Sequence, residues 1–139
     1  MWVFLWVPWI SFAEAPLFYT GSFSSTAVGG YDVVSYFQGG PKKGDRDFET
    51  SYGGVSWRFS TQENLTLFLA NPEAYVPQYG GYCAYAVSRG YTAKGDPLEW
   101  SLVDNKLYLN YNAQVKRTWE TDIPGNIKKG DANWPKVLE

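Results

Sequence analysis

Apolar and polar side chains alternate through Asp47-Phe48-Glu49-Thr50-Ser51-Tyr52 and through Val55-Ser56-Trp57-Arg58-Phe59, on either side of Gly53-Gly54. A period of two around a glycine pair predicts a β-hairpin. Phe48, Tyr52, Val55, Trp57 and Phe59 share one face only approximately, so the alternation leaves the strand register open. A second hairpin is predicted where Trp100-Ser101-Leu102-Val103 and Leu107-Tyr108-Leu109-Asn110-Tyr111 flank the polar turn Asp104-Asn105-Lys106. Its core candidates are Trp100, Leu102, Leu107 and Leu109.

Helical spacing appears between and after the hairpins. Ser60-Thr61-Gln62-Glu63 has the form of a capping box with Ser60 as the cap, and Leu65, Phe68 and Leu69 follow at helical intervals until Asn71-Pro72 stops the run. Asn64-Leu65-Thr66 fits a glycosylation acceptor, but its place within a helix makes chance the better explanation. Tyr79 to Gly90 predicts a short helix with Cys83 and Val87 one turn apart and Gly90 as its stop. Val115 and Trp119 lie on one face of another helix, and Ile127 to Trp134 forms a last one before Pro135. Tyr31 to Phe37 is an apolar patch of open secondary structure, closed by Gln38-Gly39-Gly40-Pro41. Gly21 to Gly30 reads as an extended connector, with the fold beginning near Ala27, and no internal repeat is visible. The pattern as a whole predicts a small single α+β domain of two β-hairpins and several short helices.

Met1 to Phe12 is an apolar run too short to span a bilayer, and Ser11-Phe12-Ala13 offers a cleavage signal. The expected organisation is a leader at 1–13, an extended linker at 14–30 and the domain at 31–139, in a periplasmic or secreted protein without a stable membrane span in its mature chain. No Lys or Arg precedes the run, which leaves an N-terminal strand or helix as the alternative.

Composition narrows the chemistry. The chain has 139 residues, enough for one core, and 12 Lys+Arg against 14 Asp+Glu, so it carries no basic field for nucleic acid. It has no His, which removes the usual general base near neutral pH and the commonest neutral metal ligand. One Cys permits neither an intrachain disulfide nor a multi-thiolate metal cage. Aromatic residues make up 19 % of the chain, enough to fill a core and to line a cleft.

Phe68-x-x-x-Pro72-Glu73-x-Tyr75, Tyr79-Gly80-Gly81-Tyr82-Cys83-Ala84, Asp96-Pro97-x-x-Trp100, Lys106-Leu107-Tyr108-Leu109-Asn110-Tyr111 and Asp131-Ala132-Asn133-Trp134-Pro135 together resemble the YHS domain family, and in particular its exported members. The resemblance runs from about Tyr31 to Leu138. In the metal-linked branch of that family three cysteines occupy positions that here hold Ser35, Ser60 and Asn64. Neutral hydroxyl and amide oxygens lack the charge and softness of thiolates, so the resemblance implies a domain that has lost its soft-metal site. The sequence also departs at Val33, where closer relatives usually carry Pro.

The candidate ligand-binding residues are Tyr31, Asp32, Tyr36, Tyr79, Tyr82 and Cys83, with Trp57 and Trp100 as core or cleft. Cys83 is either a buried small hydrophobe or an accessible thiol. Asp32, Asp96 and Asp131 converge on a hard cation or serve local roles, with Asp96 in a turn at Pro97 and Asp131 capping the last helix. Three functions follow: a binding module for a small molecule or protein partner, without cofactor or catalytic residues; a copper- or zinc-handling protein; or an enzyme built on carboxylates and Tyr hydroxyls.

Overall fold

A computed structural model describes residues 15–139. Both predicted hairpins form: β1 (Asp45–Tyr52) pairs antiparallel with β2 (Val55–Phe59), and β3 (Asp96–Val103) with β4 (Lys106–Asn110). These make two separate two-stranded sheets among the described residues. Four α-helices accompany them: α1 (Gln62–Ala70), α2 (Ala84–Ser88), α3 (Ala113–Glu120) and α4 (Ile123–Asn133). Short 3-10 turns at Ala27–Gly30, Ser35–Gln38 and Gln78–Gly81 join these elements into one α+β domain.

The expectation of no internal repeat is wrong. The fold is built twice, at a constant offset of 51 residues, as in Tyr31 and Tyr82. Each copy opens on a 3-10 turn whose second and third residues have positive φ (Val28 and Gly29, then Tyr79 and Gly80). Each then bridges a tyrosine to a lysine (Tyr31 to Lys43, Tyr82 to Lys94). In both hairpins the register slips at the same place, between Asp45 and Glu49 and between Asp96 and Trp100. Each hairpin turns on two left-handed residues, Gly53-Gly54 in one and Asp104-Asn105 in the other. Each following helix is capped by an equivalent residue, Thr61 or Asn112, whose side chain accepts the N–H three residues on. Even the ring contact at the centre recurs: Trp57 on Phe68 at 5.4 Å, and Tyr108 on Trp119 at 5.2 Å. Few side chains are shared, because the backbone demands them at few points. Gly44 and Gly95 are retained where a Cβ would meet backbone atoms at 2.6 Å and 2.1 Å.

The copies are not packed as independent halves. Strand β4 is buried on both faces: Leu107 and Leu109 join the first core with Val33, Tyr36, Trp57, Phe59 and Phe68, while Tyr108 joins the second with Tyr79, Tyr82, Val87 and Trp119.

Several local expectations change. Thr61, not Ser60, caps α1, because the Ser60 hydroxyl is drawn to a buried carboxylate. Leu69 and Leu102 are exposed, and the apolar side chains that α1 buries are Leu65 and Phe68. Helix α4 starts at Ile123 with Asp122 as its cap, which leaves Asp131 within the helix and not at its cap. Asp96 does accept the Leu98 N–H at 2.8 Å in the expected turn at Pro97. Residues 15–26, read as part of a connector, lie across the domain: the Ala15 N–H bonds Leu138, the Tyr19 N–H bonds Gly80, and Phe18 is buried against Trp57. Phe18 supplies an apolar anchor that the Ser- and Gly-rich stretch around it hides. The leader expected at 1–13 lies outside the described residues.

Candidate functional site

Ser35, Ser60 and Asn64, scattered in sequence, gather around Asp32, whose side chain is 0 % exposed. Its Oδ1 accepts the N–H groups of Val34 (2.8 Å) and Ser35 (3.2 Å). Its Oδ2 accepts the Ser60 N–H (2.8 Å), the Ser60 hydroxyl (2.7 Å) and the Asn64 amide (2.8 Å). The Ser35 hydroxyl donates to the Asp32 carbonyl at 2.5 Å and accepts the Lys42 N–H at 2.9 Å. Asn64 and Gln38 exchange a reciprocal pair of amide hydrogen bonds.

A carboxylate offers about four lone-pair sites, and here five donors already point at it. A cation would have to displace those donors and leave them buried without an acceptor. The hydroxyl and amide oxygens nearby are neutral and hard, the reverse of what copper or zinc takes from thiolates. These residues therefore do not fit a soft metal ion, and what they do is satisfy a buried charge and tie the Tyr31–Gln38 segment to the start of α1. Among the described residues no group of three or more His, Cys, Asp or Glu side chains could hold a metal. A shallow depression of about 430 Å³ over α1 touches this hub through Asn64 and its amide partner Gln38.

The remaining candidates do not converge. Tyr31 and Tyr36 belong to the first copy, where the Tyr36 hydroxyl donates to the Pro97 carbonyl at 2.7 Å and its ring meets Trp100 edge-on. Tyr82 and Cys83 belong to the second, with the Tyr82 hydroxyl on the Pro16 carbonyl at 2.6 Å. Cys83 is buried, and burial pushes its thiol up from the ordinary value. Trp57 is a core residue, as its buried ring and the bond from its Nε1 to the Tyr52 carbonyl require. Asp32, Asp96 and Asp131 lie in three different networks.

Tyr79 faces an open cleft. The cleft holds about 390 Å³ where the N-terminal segment, the connection between the two copies and α4 meet. Leu17, Phe18, Tyr79 and Trp134 supply its apolar walls, and Glu73 and Asp131 its charges. Gly80 makes the junction possible: it sits at φ +62°, and a Cβ there would fall 1.8 Å from the Leu17 carbonyl oxygen. Gly130 likewise lets the Tyr79 phenol lie against α4, where it donates to Asp131 at 2.9 Å. Burial first, and then that hydrogen bond, raise the Tyr79 phenol well above its ordinary range, so it holds its proton and serves as a donor. Tyr52 donates to Glu73 on the other side. Each carboxylate thus has one neutral partner, and among the described residues no Lys or Arg lines the cleft.

Sequence reasoning named Tyr79 and weighed Asp131 but missed Glu73, Trp134 and Phe18 as partners. Only the Tyr79-Gly80-Gly81 turn hinted at the place, as a spot where chain segments pass closely.

Among family models, the one for the YHS domain matches residues 34–79, which is the first copy of the repeat from Val34 onward with the first two residues of the second. No curated protein matches the chain, and no solved structure does.

Proposed function

We propose that this chain, whose residues 34–79 match the YHS domain, works as an exported, metal-independent binding module whose ligand is a small molecule with a cationic group on an apolar body. One observation carries this reading: a cleft of about 390 Å³ combines the Tyr79, Trp134 and Phe18 rings with the Glu73 and Asp131 carboxylates and, among the described residues, has no basic side chain in its lining. Rings and carboxylates together favour a desolvated cation, the rings through their negative faces and the carboxylates through charge-assisted hydrogen bonds. The binding free energy comes from apolar burial, and the two carboxylates set orientation and select for charge.

Export is part of the same proposal, supported by the apolar run Met1 to Phe12 and the small-residue site Ser11-Phe12-Ala13. A metal-handling role draws support only from the family, because the positions of its thiols hold Ser35, Ser60 and Asn64. An enzymatic role draws none from Tyr79, which keeps its proton.

Titrating the full chain with benzylammonium and, separately, with benzoate tests the reading. Benzylammonium should raise the unfolding temperature progressively with concentration and benzoate should not. Equal stabilisation by both, or by neither at high excess, rejects it.

A further inference from the structure

The repeat places a second site opposite the polar hub. The second-copy positions that answer to Asp32, Ser35, Ser60 and Asn64 are Cys83, Ala86, Tyr111 and Val115. Where the first set is locked together by hydrogen bonds, the second lines a cavity of about 240 Å³ with Tyr91 and Ala93. We propose that this cavity is a ligand site of the second repeat that accepts a neutral molecule the size of one aromatic ring.

The hub's structural work has moved elsewhere in the second copy. In the first, Asp32 Oδ1 accepts the Val34 N–H; in the second, the equivalent Tyr85 N–H is accepted by Asn110 Oδ1 at 3.0 Å. Asn110 comes from β4, at the place held by Phe59 in the first copy. Cys83 is thereby released from capping, and its thiol lies 3.5 Å from the same Asn110 oxygen. Asn110 is fully buried, and its Nδ2 has no partner among the described residues. The four polar positions of the hub have thus been replaced by a thiol, two small apolar side chains and one ring.

Protein interiors leave few voids larger than a water molecule, and unfilled apolar space is destabilising. A cavity of about 150 Å³ lined by aliphatic and aromatic groups stays dry and binds benzene, so this one has room for a single ring with a small substituent. Among the described residues no charged side chain lines it, the Lys94 ammonium lying over the Tyr111 ring at 5.3 Å without entering the lining, which disfavours an ionic ligand. Tyr91 and Tyr111 are both half exposed, an arrangement that lets rings close over a bound ring. The cavity shares no lining residue with the cleft at Tyr79, so the two sites stand or fall separately.

The test is a phenol titration of the full chain followed by the methyl resonances of Ala86, Ala93 and Val115, with benzoate as the charged control. Phenol at millimolar concentration should shift the methyls of these three residues saturably, and benzoate should not. Ala93→Phe, at a partly exposed position, should fill the space and abolish the phenol response while keeping the native amide spectrum. Val115→Phe gives the same test from α3 if Ala93→Phe fails to fold. Absent or non-saturating shifts in the unmodified chain overturn the proposal, and so does an undiminished response in a folded filled variant.

Discussion

Ser60 gives both of its donors to one oxygen: its N–H and its hydroxyl lie 2.8 Å and 2.7 Å from Asp32 Oδ2, across 28 positions of sequence. That pairing staples the apolar Tyr31–Gln38 segment to the start of α1. Asp32→Ala would take the shared acceptor from five donors and leave the Val34 and Ser60 N–H groups without one, and each such group costs about 1–3 kcal/mol. The expected loss is about 3 kcal/mol or more of folding stability, measured by urea unfolding. Asp32→Asn should recover only part of it, because its amide end turns donors toward donors. A change of under about 0.5 kcal/mol in Asp32→Ala, the range of ordinary surface substitutions, would show that the hub is not structural.

The same donor saturation bears on metals. Protein incubated with copper or zinc and then dialysed should retain far less than one ion per chain by elemental analysis, with its unfolding temperature unchanged. Stoichiometric retention that disappears in Asp32→Ala or Asn64→Ala would mean that the hub opens to ligate.

At the cleft, Asp131→Asn keeps the shape and the bond to the Tyr79 hydroxyl while removing charge. Benzylammonium affinity should fall about tenfold, equivalent to about 1.4 kcal/mol, and Glu73→Gln should act in the same direction. Trp134→Ala should weaken the ligand through lost ring contact. Calorimetry reads all three, and an unchanged affinity in Asp131→Asn and Glu73→Gln would remove charge from the recognition.

Two glycines with positive φ separate backbone strain from steric contact. Gly90 sits at φ +89° with nothing within 4 Å of where a Cβ would lie, whereas a Cβ on Gly80 would meet the Leu17 carbonyl at 1.8 Å. Gly90→Ala should cost only the left-handed penalty of about 1–2 kcal/mol. Gly80→Ala should cost clearly more and release the N-terminal segment, seen as faster amide exchange at Tyr19, which bonds the Gly80 carbonyl. Equal losses would mean that the segment yields freely.

Burial raises the phenols of Tyr36, Tyr79, Tyr82 and Tyr108 above their ordinary value. The neutral form is therefore favoured in the folded chain. Its contribution is complete below the unfolded value of about 10 and is lost as pH rises from there toward the higher folded values. Stability should be insensitive to these groups at neutral pH and fall above about pH 10, with the last phenolate absorbance appearing together with loss of the circular dichroism signal. Full ionisation of all 11 tyrosines in a still-folded chain would contradict this. Cys83 shifts in the same direction and is 1 % exposed, so a bulky thiol-reactive dye should label it far more slowly in the folded chain than after denaturation.

Much of the fold was legible along the chain because local physics specifies it. Alternation and turn residues marked both hairpins, Asn71-Pro72 marked the end of α1, and Gly90 marked the stop after α2. Positions such as Ser60 and Leu102 were misassigned because a hydroxyl near a helix start and an apolar residue in a strand each have two outlets, and long-range packing chose between them. The repeat was hidden for a related reason: Gly-Gly and Asp-Asn both supply positive φ, and Trp on Phe fills a core as Tyr on Trp does, so different residues meet the same demand.

Residue types alone determined that one chain without His and with one Cys cannot assemble a soft-metal cage, since ligand chemistry belongs to the side chain wherever it lies. Tertiary structure decided everything that depends on distance: that Ser35, Ser60 and Asn64 meet on Asp32, that their counterparts around Cys83 leave a cavity, and that Tyr79 meets Asp131 and Trp134 in one cleft. Hydrogen bonds and ring contacts act over a few ångströms, and only folding brings residues tens of positions apart within that reach.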